Sequence, residues 1–270
     1  MNRLHLHFPR NLLRYRELLW RLTEREVAGR YRGSMLGWGW SLLNPLLMLA
    51  VYTFVFSTVF QARWGGLEQA GPIGFAINLF TGLIVFNVFA ECATSAPSLI
   101  LNNVNYVTKV IFPLEVLGAA SVATSLFHAF TSLIILLLFE LLAIHQIPLT
   151  TFWLPLVWLP LLLGCLSMNW ILSALGVYMR DLGQLIGVLV SMLMFLSAVF
   201  YPLSALPKAL QPLLGLNPLV VVIEQSRAIL VRGEAPSWNY VFLGSLLMLL
   251  VCEMSYRLFQ RARRGFADVL

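Results

Sequence analysis

Charge is scarce in this chain of 270 residues: Asp, Glu, Lys and Arg make up 11% of it, against roughly 25% in an average soluble domain. That deficit excludes an ordinary water-facing surface. Cysteine is sparse too. Cys92, Cys165 and Cys252 all lie inside apolar runs at wide spacing, which argues against a disulfide framework or a zinc site and reads as small buried hydrophobes. No GxxxxGK[ST] phosphate loop occurs, so ATP hydrolysis by that route is not a property of this chain. Neither HExxH nor a paired-aspartate pattern is present, and the acidic residues are scattered rather than clustered as a membrane enzyme needs. The first 35 residues lack the apolar core of a cleavable signal peptide. The net charge of +6 gathers at the two ends rather than on one basic face, which speaks against nucleic acid.

What is abundant is apolar sequence, at 59%. A bilayer core about 30 Å thick takes ~20 apolar helical residues to cross. Six segments qualify: 36–60, 75–97, 114–143, 153–178, 184–202 and 237–256. The first follows directly on a basic, amphipathic stretch, and such a collar marks the cytoplasmic side. With both ends inside, the inner segments 1–35, 98–113, 179–183 and 257–270 hold 14 Lys and Arg residues; the outer ones hold four, Arg63, Lys208, Arg227 and Arg232. The expected fold is therefore an all-α integral membrane protein with six transmembrane helices. Residues 1–35 form a cytoplasmic segment, 36–256 the membrane domain, and 257–270 a basic cytoplasmic tail. Pro155 and Pro160 are expected to interrupt the outer half of the fourth span.

Three connections stand out. Leu12, Tyr15, Leu19 and Leu22 recur at three- and four-residue spacing among arginines, the pattern of an interfacial amphipathic helix. Residues 99–113 place Asn102, Asn103 and Asn105 ahead of a short run closed by Pro113, a helix with its cap and its stop. Tyr106, Val110, Ile111 and Phe112 in an inner loop read as an exposed docking knob. Residues 203–236 are too apolar for a loop and too broken for a span. Short helices at 205–214 and 217–232 would form a re-entrant outer hairpin between the fifth and sixth spans, tolerated at membrane depth only under cover. Glu224 and Arg227 are spaced to pair within it, as are Glu253 and Arg257 in the last span. Glu91 and Glu140 are costly charges in lipid. His128 has no carboxylate or second His at ligand spacing, and reads as a satisfied interior histidine rather than a metal or proton site.

The stretches RYRGSMLGWGWSLLNPLLMLAVYTFVFSTVF, NNVNYVTKVIFPLEVL, YMRDLGQL, FYPLSALP and NPLVVVIEQSRAILVRG occur in this order over roughly residues 14–235. Together they resemble the ABC-2 permeases, nearest to the transmembrane subunits of exporters of O-antigen, capsule or teichoic acid. The resemblance implies a homodimer in the bacterial cytoplasmic membrane with two copies of a separate ATPase, which supplies ATP and Mg. It implies a coupling helix over about 102–112, with Asn103, Asn105, Tyr106, Lys109 and Phe112 facing that ATPase. The 203–236 hairpin would be the outer gate, using Pro207, Asn217, Pro218, Glu224 and Arg227. Trp38, Trp40, Tyr52, Phe54, Phe56 and Phe60 would line a conduit, since aromatic faces stack on sugars; interfacial Trp and buried Phe are also ordinary in membrane helices. Arg30 and Arg32 at the inner mouth would take the pyrophosphate of a polyprenyl-linked glycan, or a phospholipid anchor, although positive-inside anchoring explains them equally well. The rival readings are an ABC-2 drug or lipid exporter, an ion-driven transporter, for which neither repeat nor midplane charge is visible, and an enzyme of lipid-linked glycan metabolism.

Overall fold

The computed structural model describes residues 7–55, 71–108 and 112–270, and among these no β-strand occurs. Helices α1 (His7–Arg14) and α2 (Arg16–Tyr31) form the amino-terminal segment. Leu12, Tyr15 and Leu19 pack on the core and Leu22 is buried, while Arg14, Arg16 and Arg21 stay exposed, as the spacing predicts. The start of α1 is held from the far end of the chain. Glu253 Oε2 accepts from the backbone amides of His7 at 3.0 Å and Phe8 at 3.4 Å, and Arg257 Nε donates to its Oε1 at 2.7 Å. A carboxylate there satisfies orphan amides at the positive end of the helix.

The chain continues through α3 (Trp40–Thr53), α4 (Gly71–Ser95), α5 (Val104–Thr108), α6 (Glu115–Ile144), α7 (Leu154–Tyr178) and α8 (Leu182–Leu196). It ends with α9 (Gln211–Gly215), α10 (Pro218–Arg227), α11 (Trp238–Ala262) and α12 (Phe266–Val269). Among the described residues four stretches are long and apolar enough to cross a membrane: Ile73–Ser98, Glu115–Ile144, Leu149–Tyr178 and Trp238–Val269. They coincide with the second, third, fourth and sixth expected spans. Of the first expected span the described residues hold α3, 14 residues long, and Phe56 and Phe60 lie outside the described residues. The fifth is shorter than the sequence predicts. It stops at Leu196 because Ala198 takes a left-handed φ of 52°, leaving 15 residues, or about 22 Å of helix.

Helix α4 is the axis of the bundle, packed against α3, α6, α7, α8 and α10. Apolar on nearly every side, it is buried on nearly every side, as such a helix must be. Helix α11 lies along α7, and α2 along α6. The prolines do not interrupt α7: Pro155 sits in its first turn, where the missing amide costs nothing, and Pro160 is carried inside a continuous helix. Near its carboxyl end α7 passes the turn after α4 at Gly176, where a Cβ would overlap the carbonyl oxygen of Pro97. Only glycine allows that crossing.

The 203–236 segment differs from expectation in its first half. Residues Leu203–Ala205 form a 3₁₀ turn and α9 is five residues long, because Pro212 fits only in a first turn and the extended Asn217 before Pro218 stops the helix at its other end. The second half is helical as expected, α10 running into a π-helical turn, Ala228–Arg232, that ends at Gly233 with φ 67°. Leu219, Val222, Ile223, Ile229 and Leu230 are buried. This half is core, not surface.

Candidate functional site: a polar cavity, a tethered connection and a buried arginine

A cavity of about 390 Å³ opens between α2, α3, α4 and α6. Its polar wall comes from α4. From Gly74 to Ser95 the exposed positions are Asn87 and Thr94, and with Glu91 between them they form one stripe at spacings of four and three. Ser41, Asn44 and Trp40 of α3 and Ser132 of α6 face the same space. At its mouth three helices each contribute one ionisable group. Arg30 Nη1 bonds Glu91 Oε1, and His128 Nδ1 lies 2.9 Å from Glu91 Oε1 and 3.1 Å from Oε2. His128 Nδ1 is also 2.9 Å from Arg30 Nη1, and Tyr31 meets the imidazole edge-on at 6.1 Å. The lack of a carboxylate partner for His128 along the sequence is thus corrected by the fold, since Glu91 arrives from another helix. Lone charges in apolar spans were the available signal; their mutual contact was not legible. His128 Nε2 is buried and has no partner among the described residues.

Arg30 is part of this cluster, whereas Arg32 is exposed just beyond the end of α2. Trp40 lines the cavity. Trp38 instead packs on Phe127 at 5.9 Å and borders a separate apolar groove between α2, α6 and α7. Tyr52 is packed against the core and Phe54 is exposed.

The connection between α4 and α6 is held from two sides. Asn103 Nδ2 turns back to Leu99 O at 2.9 Å, and Asn105 is exposed. Tyr106 and Phe112 are not the exposed knob that the sequence suggests. Their rings stack on each other at 4.3 Å and 9°, so each covers a face of the other, and both pack on the core. Lys109, Val110 and Ile111 lie outside the described residues. Arg25 of α2 donates to Tyr106 Oη at 2.5 Å and stands 5.7 Å from its ring centre. From the tail, Arg263 donates to Phe112 O at 2.7 Å and to Glu115 Oε2 at 3.2 Å. Arg25 and Arg30 share one helix, about 7.5 Å apart along its axis, so α2 joins this connection to the cavity mouth. Beside Arg25, burial pushes the Glu26 carboxyl above the usual carboxylate range, against the opposing bond from Thr124 Oγ1 at 3.1 Å and the charge of Arg25, with Glu91 adding to the rise.

At the other end the fully buried Arg227 ties the hairpin to the bundle. Its Nε donates to Asn78 O at 3.0 Å, Nη1 to Ala198 O at 3.0 Å and Glu224 Oε1 at 2.8 Å, and Nη2 to Val199 O at 2.7 Å. Asn217 caps α10 through Leu219 N at 3.0 Å and reaches Leu196 O at 3.4 Å and Ser197 Oγ at 3.2 Å. Asn217 thus satisfies the last carbonyl of α8, and Arg227 takes the carbonyls of Ala198 and Val199 just beyond it. Pro218 occupies the first turn of α10, and Pro207 O accepts from Leu210 N at 2.8 Å. Glu224 and Arg227 pair as their spacing predicts.

Apolar helices around a polar cavity, a connection braced by Arg25 and Arg263 and a hairpin buried against the bundle define an all-helical protein with four helices of membrane-crossing length among the described residues. Residues 17–231 match the ABC-2 type transporter family, and the chain belongs to it. It is similar to the O-antigen export system permease protein RfbA of Myxococcus xanthus, 32% identical over 97% of this chain and 99% of that one. The protein of the same name from Klebsiella pneumoniae is 23% identical over 94% and 95% of the two chains. The polysialic acid transport protein KpsM of Escherichia coli is 26% identical over 86% of this chain and 90% of its own.

Proposed function

We propose that this chain is the transmembrane permease subunit of an ATP-driven exporter that moves a lipid-linked polysaccharide across the bacterial inner membrane, with O-antigen as first choice. The observation that carries this reading is the near end-to-end similarity to the Myxococcus O-antigen permease. The similarity to KpsM favours capsular polysaccharide as the second choice, with teichoic acid after it. Helices α3, α4, α6, α7, α8 and α11 would make six crossings, with both termini cytoplasmic as the 14-to-4 distribution of basic residues favours.

Two copies pair through α3 and α8, whose exposed apolar side chains include Leu46, Leu47, Met192 and Phe195. Trp38, Trp40, Tyr52, Phe54, Phe56 and Phe60 line the sugar path, and Arg30 with Arg32 receives the phosphate of the lipid anchor. Two copies of an ABC ATPase press on the 102–112 segment through Asn103, Asn105, Tyr106, Lys109 and Phe112; ATP and Mg stay with that partner. The braces at Arg25 and Arg263 pass the stroke to α2 and to α6, while the re-entrant hairpin, held by Asn217 and Arg227, closes the exit. Affinity purification from native membranes, with mass spectrometry of what co-elutes at equal stoichiometry, tests this directly. A soluble protein with a phosphate loop is expected, and depletion of the chain should strand lipid-linked glycan inside the cell. Recovery of the chain alone, with export indifferent to ATP, overturns the reading.

A further inference from the structure

The cavity mouth holds one cation, one carboxylate and one imidazole, and their bonds are unequal in a useful way. His128 faces both oxygens of Glu91, whereas Arg30 reaches one of them. With Nδ1 donating to the carboxylate, the 2.9 Å approach of Arg30 Nη1 to that nitrogen is no hydrogen bond, and Arg30 can leave without costing His128 its partner. The side chains of Glu91 and His128 are 27% and 16% exposed, that of Arg30 54%; the arginine is the member open to exchange. A half-exposed ion pair is weakly held, and a guanidinium binds phosphate oxygens through two parallel bonds. Behind it, Asn44, Asn87, Thr94 and Ser132 supply amides and hydroxyls for further oxygens, and His128 Nε2 has no partner among the described residues.

We propose that Glu91 is a resident anion that occupies Arg30 until a phosphate ester enters the cavity and takes the arginine from it, while His128 keeps the carboxylate. Glu91 and His128 thereby become specificity residues: an uncharged head cannot displace the carboxylate, and a dianionic one can. The exchange forms and breaks ion pairs only. It rests on the reading of Arg30 given above and sharpens it, since a simple basic anchor would have no internal competitor.

The test is equilibrium dialysis of radiolabelled inorganic pyrophosphate against the chain, with its co-purifying subunits, in phosphatidylcholine nanodiscs. Glu91→Gln removes the competing charge and keeps the side-chain shape. Binding should tighten about fivefold, since a weakly held pair blocks the site for most but not nearly all of the time and the site binds in proportion to the fraction open, and Arg30→Gln should abolish binding in either background. Glu91→Asp, which draws the carboxylate back, should tighten it less and serves if the glutamine variant does not fold. Unchanged or weaker binding in the folded Glu91 variant, or no binding in any variant, overturns the proposal. Adding phosphatidic acid to the nanodiscs separates the sources: displacement of the label assigns the site to a lipid-borne phosphate, and its persistence to a free one. Loss of the ATPase partner would sink the exporter reading alone, while export with an indifferent Glu91 would sink this site alone.

Discussion

Replacing Arg227 by methionine keeps most of the side-chain volume and removes every donor. Three backbone carbonyls, those of Asn78, Ala198 and Val199, would lose a charged hydrogen bond, and Glu224 its nearer cation. Breaking a buried ionic arrangement by deleting one partner costs about 3–5 kcal/mol. Arg232, 3.8 Å from Glu224, remains to balance the carboxylate, which places the expected loss near the lower end, about 3 kcal/mol. That is more than a hundredfold in the folding constant, with roughly 1.4 kcal/mol for each factor of ten. Arg227→Lys should recover part of it, because one ammonium cannot reach carbonyls on both α4 and the end of α8. The assay is equilibrium unfolding of the purified protein in mild detergent by SDS titration. Gly82 supplies an internal check, since a Cβ there would stand 2.7 Å from Arg227 Nη2, which its bonds hold in place. Gly82→Ala should cost about 1–3 kcal/mol in the parent chain. In the Arg227→Met background it should cost clearly less, because the flexible end of the methionine can yield. A loss below about 1 kcal/mol for Arg227→Met would mean that water satisfies these carbonyls, and the closed hairpin would be refuted with it.

Other consequences are as direct. Gly176→Ala would drive a Cβ into the Pro97 carbonyl, so α7 must move off α4; loss of about 3 kcal/mol or more is expected, and a silent substitution would refute the close crossing. Glu26 has its folded pKa above the unfolded value. Its contribution is therefore fully present below the unfolded pKa and fades as pH rises through the folded one. Glu26→Gln should leave stability at neutral pH unchanged or higher and flatten its decline with pH, and a variant weaker than the parent at neutral pH would contradict this. Lys109→Glu with Phe112→Asp should abolish co-purification of the ATPase while membrane insertion persists; an intact complex would remove the docking assignment.

Much here is set by composition and spacing. Apolar runs of membrane length determine α4, α6, α7 and α11 because helices in lipid must satisfy their own backbone, and the 3.6-residue period determines which face of α2 is buried. The motifs of the first expected span, the connection after α4 and the hairpin were enough to suggest the family, and the local pairs Glu224–Arg227 and Glu253–Arg257 follow from helical spacing alone. Contacts between helices do not, because they depend on crossing points that no local pattern encodes. Thus Glu91 finds His128 across 37 residues, Glu253 closes a helix 245 residues away, and Tyr106 turns from an exposed knob into one half of a stack with Phe112. Local sequence determined which segments are helical and which faces are apolar; only tertiary packing decided which charges meet, because an ion pair in an apolar bundle forms only where crossing helices bring two groups together: Glu91 gains His128 and Arg30, whereas Glu140 is buried without an ion pair among the described residues.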